Sequence, residues 1–333
     1  MGEPAQRSML HRFSGGPTGR LHVQRPHLEL PTVVPRLVLA LAVAVAVSLF
    51  GQLPGRTAPP PEAPTPLLAS PVQGGVSVIG GEGGNIGVLT GPDGTLLVDS
   101  KFARLATPVR GAVKALGGGD PAWLINTHFH FDHTDGNAGF ARTGARIVAH
   151  TTVRRRLAEG STIPAFSMVT PPAPPEALPV ISFDTTLQLL LDGQTIELRH
   201  LPAAHTDGDV VVQFRQANVI HAGDVWFNGM YPFIDTLNGG TLAGAIAGVD
   251  QVLELADDDT RIIPGHGPVG SKADLQAYRT MLATAQQRLT ALKQQGLAVE
   301  AVVAAAPLAD LEERWGQGLF AADRWIQVIW EGI

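Results

Sequence analysis

Cysteine is absent from all 333 residues. That excludes a thiol nucleophile and a thiolate-bound metal, and leaves His, Asp and Glu as the side chains able to hold a transition ion. Basic charge is scarce beyond the N-terminus. Residues 1–56 carry six Lys/Arg against two Asp/Glu, leaving 18 against 28 for the rest, a net of −10. So acidic a body repels a polyanion instead of steering it in, which argues against nucleic acid as a partner. Uninterrupted apolar runs are short as well. Residues 37–50 form one of fourteen, with Ser48 its only polar residue. At about 1.5 Å per residue such a helix spans roughly 21 Å, short of the roughly 30 Å hydrocarbon layer of a bilayer.

What precedes that run is rich in Arg, His, Pro and Gly and has no helical or strand periodicity. A basic flank, Arg36, followed by a short apolar core reads as a secretory signal within a long leader. Residues 1–53 are therefore expected to be a leader with a signal peptide, or a membrane anchor if it is retained. Residues 54–71 are expected to be a Pro-rich linker and 72–333 a single domain of about 260 residues. The domain is expected to be exported, periplasmic or secreted; the alternative is anchoring to the inner membrane through residues 37–50. The lack of cysteine is compatible with export. A content of 44% hydrophobic residues is ample for one core.

The densest chemistry lies in Thr127-His128-Phe129-His130-Phe131-Asp132-His133, three imidazoles and a carboxylate directly after the apolar run Ala122-Trp123-Leu124-Ile125. Such groups are costly to crowd together unless a cation satisfies them. His128 and His130 are two apart, so an extended backbone projects them to one side, where they can share a metal. Asp132 and His133 are adjacent and face together only if the chain turns, as Thr134-Asp135-Gly136-Asn137 suggests. They then suit a second, neighbouring ion. Three further candidates stand in Gly- or Pro-rich settings beside apolar runs: His205, Asp224 and His266. Five of the eight histidines after residue 100 fall in this constellation, so a packing origin is a poor explanation. His150, His200 and His221 match no ligand position and are read as structural. A pure His/Asp donor set suits zinc, and would also suit iron or manganese.

The order and context of these residues resemble the metallo-β-lactamase fold superfamily of hydrolases, whose pattern is His-x-His-x-Asp-His, then a lone His, a lone Asp and a final His. All seven positions are matched, and the resemblance runs from about Gly74 to the C-terminus. It implies an α+β fold, a four-layer αββα sandwich with the metals in a shallow groove at one edge. It also implies two zinc ions per chain: His128, His130 and His205 on the first, Asp132, His133 and His266 on the second, and Asp224 bridging. Asp132 would in addition orient a hydroxide or carry its proton to the leaving group. The resemblance supports a role for Asp99, at the end of Thr95-Leu96-Leu97-Val98, in orienting a ligating imidazole; otherwise it caps the next helix. The branches that degrade β-lactams generally have Cys or Ser where Asp224 stands, so the chain is closer to the broader set of dinuclear hydrolases and to the exported β-lactamase-like group. The basic helical module of the hydroxyacylglutathione hydrolases is not identifiable.

The expected activity is hydrolysis of a small ester, thioester, lactone or lactam. Two alternatives are a non-haem iron enzyme of the persulfide dioxygenase type and a non-catalytic periplasmic accessory protein. The sequence leaves the oligomeric state open. Strands are expected over 76–79, 85–89, 96–98, 123–126, 146–149, 187–191, 195–200, 210–214 and 218–221, and helices over 102–116, 151–158, 242–255 and 272–295. Residues 162–179, with six prolines, are expected to be a surface loop able to overhang the groove. Trp226, Phe227, Asn228, Tyr231 and Phe233 are read as groove wall or core. The last segment is expected to form two short helices.

Overall fold

The computed structural model describes residues 66–201 and 203–333. The expected leader and all but the end of the expected linker lie outside them. Among the described residues no helix is long and apolar enough to cross a membrane.

The first sheet contains β1 (Leu68–Gln73), β2 (Val76–Gly80), β3 (Ile86–Gly91), β4 (Gly94–Val98), β5 (Pro121–Ile125), β6 (Arg146–His150) and, beyond a small hairpin of β7 (Ser161–Ile163) and β8 (Met168–Thr170), β9 (Ile181–Phe183). It runs antiparallel from β1 to β4 and parallel from β4 through β5 and β6 to β9. The second sheet takes β10 (Thr186–Leu191), β11 (Gln194–Leu201), β12 (Asp209–Phe214), β13 (Val219–Phe227), β14 (Arg261–His266) and β15 (Gly270–Ser271) in order. Only its β13–β14 pair is parallel.

The central strands are apolar on both faces because both are covered. Leu96, Val148, Val219 and Ile263 point between the sheets, against Leu198 and Val212. Their chain neighbours Leu97 and Ile147 face outward onto Val109 and Val113 of α1 (Ala106–Ala115) and Phe140 of α3 (Asn137–Ala141), across the short α2 (Phe131–Thr134) in sequence. On the opposite side Ile220 and Ile262 meet Val249 of α5 (Leu242–Leu255) and Leu282 of α6 (Lys272–Gln294). Period-two alternation thus sorts one apolar run into two cores, and each buried Val or Leu contributes roughly 1.5–3 kcal/mol relative to exposure. The result is the expected four-layer αββα sandwich. α4 (Thr151–Glu159) follows β6, and α7 (Val299–Ala304), α8 (Glu312–Trp315) and α9 (Ala322–Ile329) close the chain.

Four expectations need correction. The linker expected to end at residue 71 runs into β1, an edge strand paired with β2 from Leu68↔Gly80 onward. At an edge, next to a bulge, Pro71 costs no ladder bond. The helix expected from 102 begins as a 3-10 turn, Ala103–Leu105, before α1. β13 continues past the expected end at 221 because Gly223, at φ +53°, absorbs a register shift and does not end the strand. The final segment holds three short helices, not two.

Candidate metal centre

The carboxyl ends of the parallel strands in both sheets lie at the same edge of the sandwich, and every candidate residue is delivered there. Asp99 follows β4, and His128 and His130 follow β5. α2 carries Asp132 and His133, as the expected turn required. His205 stands between β11 and β12, Asp224 within β13, and His266 ends β14. The structure brings all seven into two groups: His128, His130, His205 and Asp224, and Asp132, His133 and His266, with the donor atoms of each group within 4.8 Å of one another. Asp224 lies between the groups, with Oδ2 3.4 Å from His205 Nε2 and 3.5 Å from His266 Nε2, and Oδ1 3.1 Å from His133 Nε2.

Close approach depends on missing side chains. A Cβ on Gly265 would fall 1.9 Å from Asp224 Oδ1, and one on Gly84 2.1 Å from the His133 ring. Asn85 braces the same corner, its side-chain amide donating to the carbonyls of Pro264 and Gly267 at 3.0 and 2.9 Å.

The outer nitrogens of four imidazoles meet acceptors. His133 Nδ1 donates to Asp99 Oδ2 at 2.7 Å, and His130 Nε2 to Asp235 Oδ2 at 2.9 Å. His205 Nδ1 donates to the Phe233 carbonyl at 2.7 Å. His128 Nδ1 donates to Thr127 Oγ1 at 3.1 Å, because the hydroxyl proton is already given to Asp99 Oδ2 at 2.7 Å. Each neutral imidazole has one proton, so these bonds assign the tautomers and leave four inner nitrogens as bare lone pairs. Those lone pairs converge. His130 Nδ1 and His205 Nε2 stand 2.8 Å apart, while His128 Nε2 and Asp224 Oδ1 are buried without a hydrogen-bond partner among the described residues. Lone pairs and carboxylate oxygens aimed at common points repel unless cations sit among them. The donor set fits metal ions.

The proton affinities reflect the same crowding. Burial pushes the His128 imidazole well below its ordinary range and brings His205 down to about 4. Burial also opposes the charged form of His133 and His266, but Asp224 and Asp132 outweigh it. His133 is held well above the ordinary range and His266 is raised to about 9. Burial would raise Asp132 and Asp224, yet the imidazoles of His133 and His266 hold both carboxyls low. Where no metal is bound, protons on His133 and His266 balance the carboxylates, so the inner nitrogen of His133 is a lone pair only once the ring gives up that proton.

Two carboxylates carry weight that no local pattern announces. Asp235, almost fully buried, orients His130 from 105 residues away and is itself held by Asn238 Nδ2 at 2.7 Å. Asp209 accepts from the backbone N–H groups of His205 and Thr206 and from Thr206 Oγ1, at 2.7, 2.8 and 2.6 Å, and so shapes the His205 loop. Burial pushes its carboxyl up to about 7 against those donors. Thr206-Asp207-Gly208 was the only sequence signal, a turn preceding it. The three histidines read as structural stay outside both groups. His150 and His200 stack at 3.7 Å, and His221 donates to the Asn85 carbonyl at 3.1 Å.

A cavity of about 560 Å³ opens onto His130, Asp132, Asp224 and His266. The segment expected to be a surface loop able to overhang the groove carries instead the β7–β8 hairpin, and its Ile163, Phe166 and Met168 line the cavity. The aromatic cluster after Asp224 divides: Phe227 and Phe233 face the cavity, and Trp226 and Tyr231 are core.

Sheets in this order, with paired His/Asp groups at one edge, define a hydrolase class built around metal ions. The Metallo-beta-lactamase superfamily model matches residues 79–266, and the chain belongs to that superfamily. It is 23% identical over 214 residues to the acyl-coenzyme A thioesterase MBLAC2 of Gallus gallus, covering 56% of this chain and 73% of that protein. To a hydroxyacylglutathione hydrolase of Polaromonas sp. it is 30% identical over 149 residues, 43% of this chain and 47% of the relative. Among solved structures, a metallo-beta-lactamase from Pontibacter korlensis superposes with a TM-score of 0.55 at 18% identity, over 65% of this chain and 99% of that one, a likeness of fold.

Proposed function

We propose that the chain binds two zinc ions and hydrolyses a small ester, thioester, lactone or lactam. His128, His130 and His205 would hold one ion, Asp132, His133 and His266 the other, with Asp224 shared. The convergence of four imidazole lone pairs and the Asp132 and Asp224 carboxylates, every ring anchored from behind, is the observation that carries this reading. A divalent ion bound there supplies Lewis acidity and a water of lowered pKa, near neutrality.

The chain's own groups do the rest. Asp99, Asp235 and the Phe233 carbonyl fix the imidazole orientations. Asp132 faces the cavity with its side chain 17% exposed and Oδ2 3.2 Å from His266 Nε2, placed to accept a proton and pass it to a leaving group. The apolar wall excludes water and receives the acyl portion. The thioester-cleaving names of two relatives support an acyl substrate.

Metal analysis of purified protein should give two zinc per chain; one iron would overturn the assignment. Asp224→Ala should bring the content towards one per chain, and a variant that still held two ions tightly would refute the shared ligand. Export through residues 37–50 is part of the same proposal, and cell fractionation with an antibody to the folded domain tests it.

A further inference from the structure

The wall of the cavity bears on the substrate. Besides the metal-centre residues, it is built largely from apolar side chains of distant segments: Phe102 on one flank, Phe166 and Met168 from the β7–β8 hairpin, Phe233, and Leu319 from the loop before α9. Phe166 and Leu319 remain 38% and 47% exposed at the mouth although both are large and apolar. Phe166 is seated on Phe233, ring centroids 4.9 Å apart, which holds it there. Exposed apolar groups rimming a concave site mark a surface kept for an apolar ligand.

Among the described residues no Lys or Arg lines this cavity, and Glu82 is the one charged residue of its wall outside the metal centre. Of the neighbouring cations, Arg104 is paired with Glu82, Lys101 is buried and donates to the Gly84 carbonyl at 2.5 Å, and Arg324 donates to the Ala165 carbonyl at 3.2 Å. Outside the metal centre, an anionic head group would find no cation in the wall as described, only the Glu82 carboxylate paired with Arg104.

We propose that this site takes an uncharged ester or thioester whose apolar acyl arm lies on Phe166, Met168, Phe233 and Leu319. The inference rests on the hydrolase reading and narrows it. In the reaction, the bond from the acyl carbon to the leaving oxygen or sulfur breaks and the oxygen of water bonds to that carbon. One water proton goes to the leaving group, and the other is released from the acid formed.

The test uses the zinc-loaded full chain with p-nitrophenyl acetate, butyrate and octanoate, and with octanoyl-coenzyme A against its uncharged counterpart S-octanoyl-N-acetylcysteamine. Burial of each methylene is worth roughly fourfold, so the six that separate octanoate from acetate should raise kcat/KM by up to about 4,000-fold if all are buried, and by about 60-fold if half are. The uncharged thioester should be preferred at least about tenfold over the coenzyme A thioester, scaled to the loss of a charged contact. Phe166→Ala and Leu319→Ala, both at partly exposed positions of the cavity wall, should each reduce the octanoate-to-acetate ratio. A flat chain-length profile, an unchanged ratio in both variants, or preference for the coenzyme A thioester would overturn the proposal. A binding arm is independent of turnover: the uncharged dye N-phenyl-1-naphthylamine should brighten with the protein and be displaced by 1-octanol. No turnover of any ester, with the dye bound and displaced, would remove the hydrolase reading and leave the apolar pocket; no dye binding would remove the pocket itself.

Discussion

Asp99 sits at φ +71°, a left-handed conformation that costs a non-glycine residue on the order of 1–2 kcal/mol and that Asp and Asn tolerate best. Its carboxylate accepts from the Thr127 backbone N–H, Thr127 Oγ1 and His133 Nδ1. Asp99→Asn keeps the backbone preference and the size but turns one acceptor into a donor. Metal affinity should fall roughly 10–100-fold, as for other groups that orient a ligating imidazole, with the circular dichroism spectrum unchanged. Competition with a chelator measures it, and an unaltered affinity would remove Asp99 from the site's support. Asp132 faces the cavity, so Asp132→Ala should cost little stability yet lower turnover by about 10²–10⁴-fold, the span of a lost proton-transfer group. Steady-state kinetics beside a thermal melt separates the two effects. Both residues were legible in advance, Asp132 from its place in the histidine run and Asp99 from its position at a strand end. Asp235 and Asp209 were not, because their partners are chosen by tertiary contact.

At the level of elements, β13 and β14 run parallel with a register shift around Gly223 and Gly265, and this irregularity aims Asp224 into the centre. Gly265→Ala would drive a methyl into the Asp224 carboxylate and the Gly223 backbone, at 1.9 and 2.8 Å. Overpacking of this kind costs about 1–3 kcal/mol. Because the carboxylate is the group displaced, metal content should fall along with stability. Urea unfolding and metal analysis of the same sample check it; loss of stability with the metal content unchanged would mean the carboxylate is not what moves. Strands were clear where both faces are buried and the sequence shows an apolar run, as in β4 and β6. They were obscure in β1, where Pro71 reads as linker, and in β13, where Gly223 reads as a loop. Glycine and proline report a local backbone requirement, and a bulge or an edge meets that requirement as well as a turn does.

For the whole molecule the metal centre is a proton-linked device. His266 is raised from 6.5 to about 9 and His133 is shifted in the same direction. In the metal-free protein their charged forms contribute stability that is fully present below pH 6.5 and is lost as pH rises through about 9. Asp132 and Asp224, both lowered, contribute above their ordinary value of 3.8 and lose that contribution only in acid. Metal ions must displace the imidazole protons. The gain in melting temperature from bound metal, wild type against chelator-treated protein, should therefore widen between pH 6.5 and 9. A gain that is constant or shrinks over that window would contradict the proton-for-metal exchange.

The sequence by itself singled out the seven side chains that the structure brings together, because ligand chemistry and spacing are properties of residue type and order, and the layered architecture followed from the family resemblance those residues carry. It also determined that no thiol takes part. Tertiary structure alone decided which carboxylates stand behind which imidazoles, and how the aromatic residues after Asp224 divide between wall and core. It alone put an apolar roof from the β7–β8 hairpin over the acidic centre. Those relations join atoms that are near in space and far apart along the chain, and only the closure of two sheets on one another brings them within bonding distance.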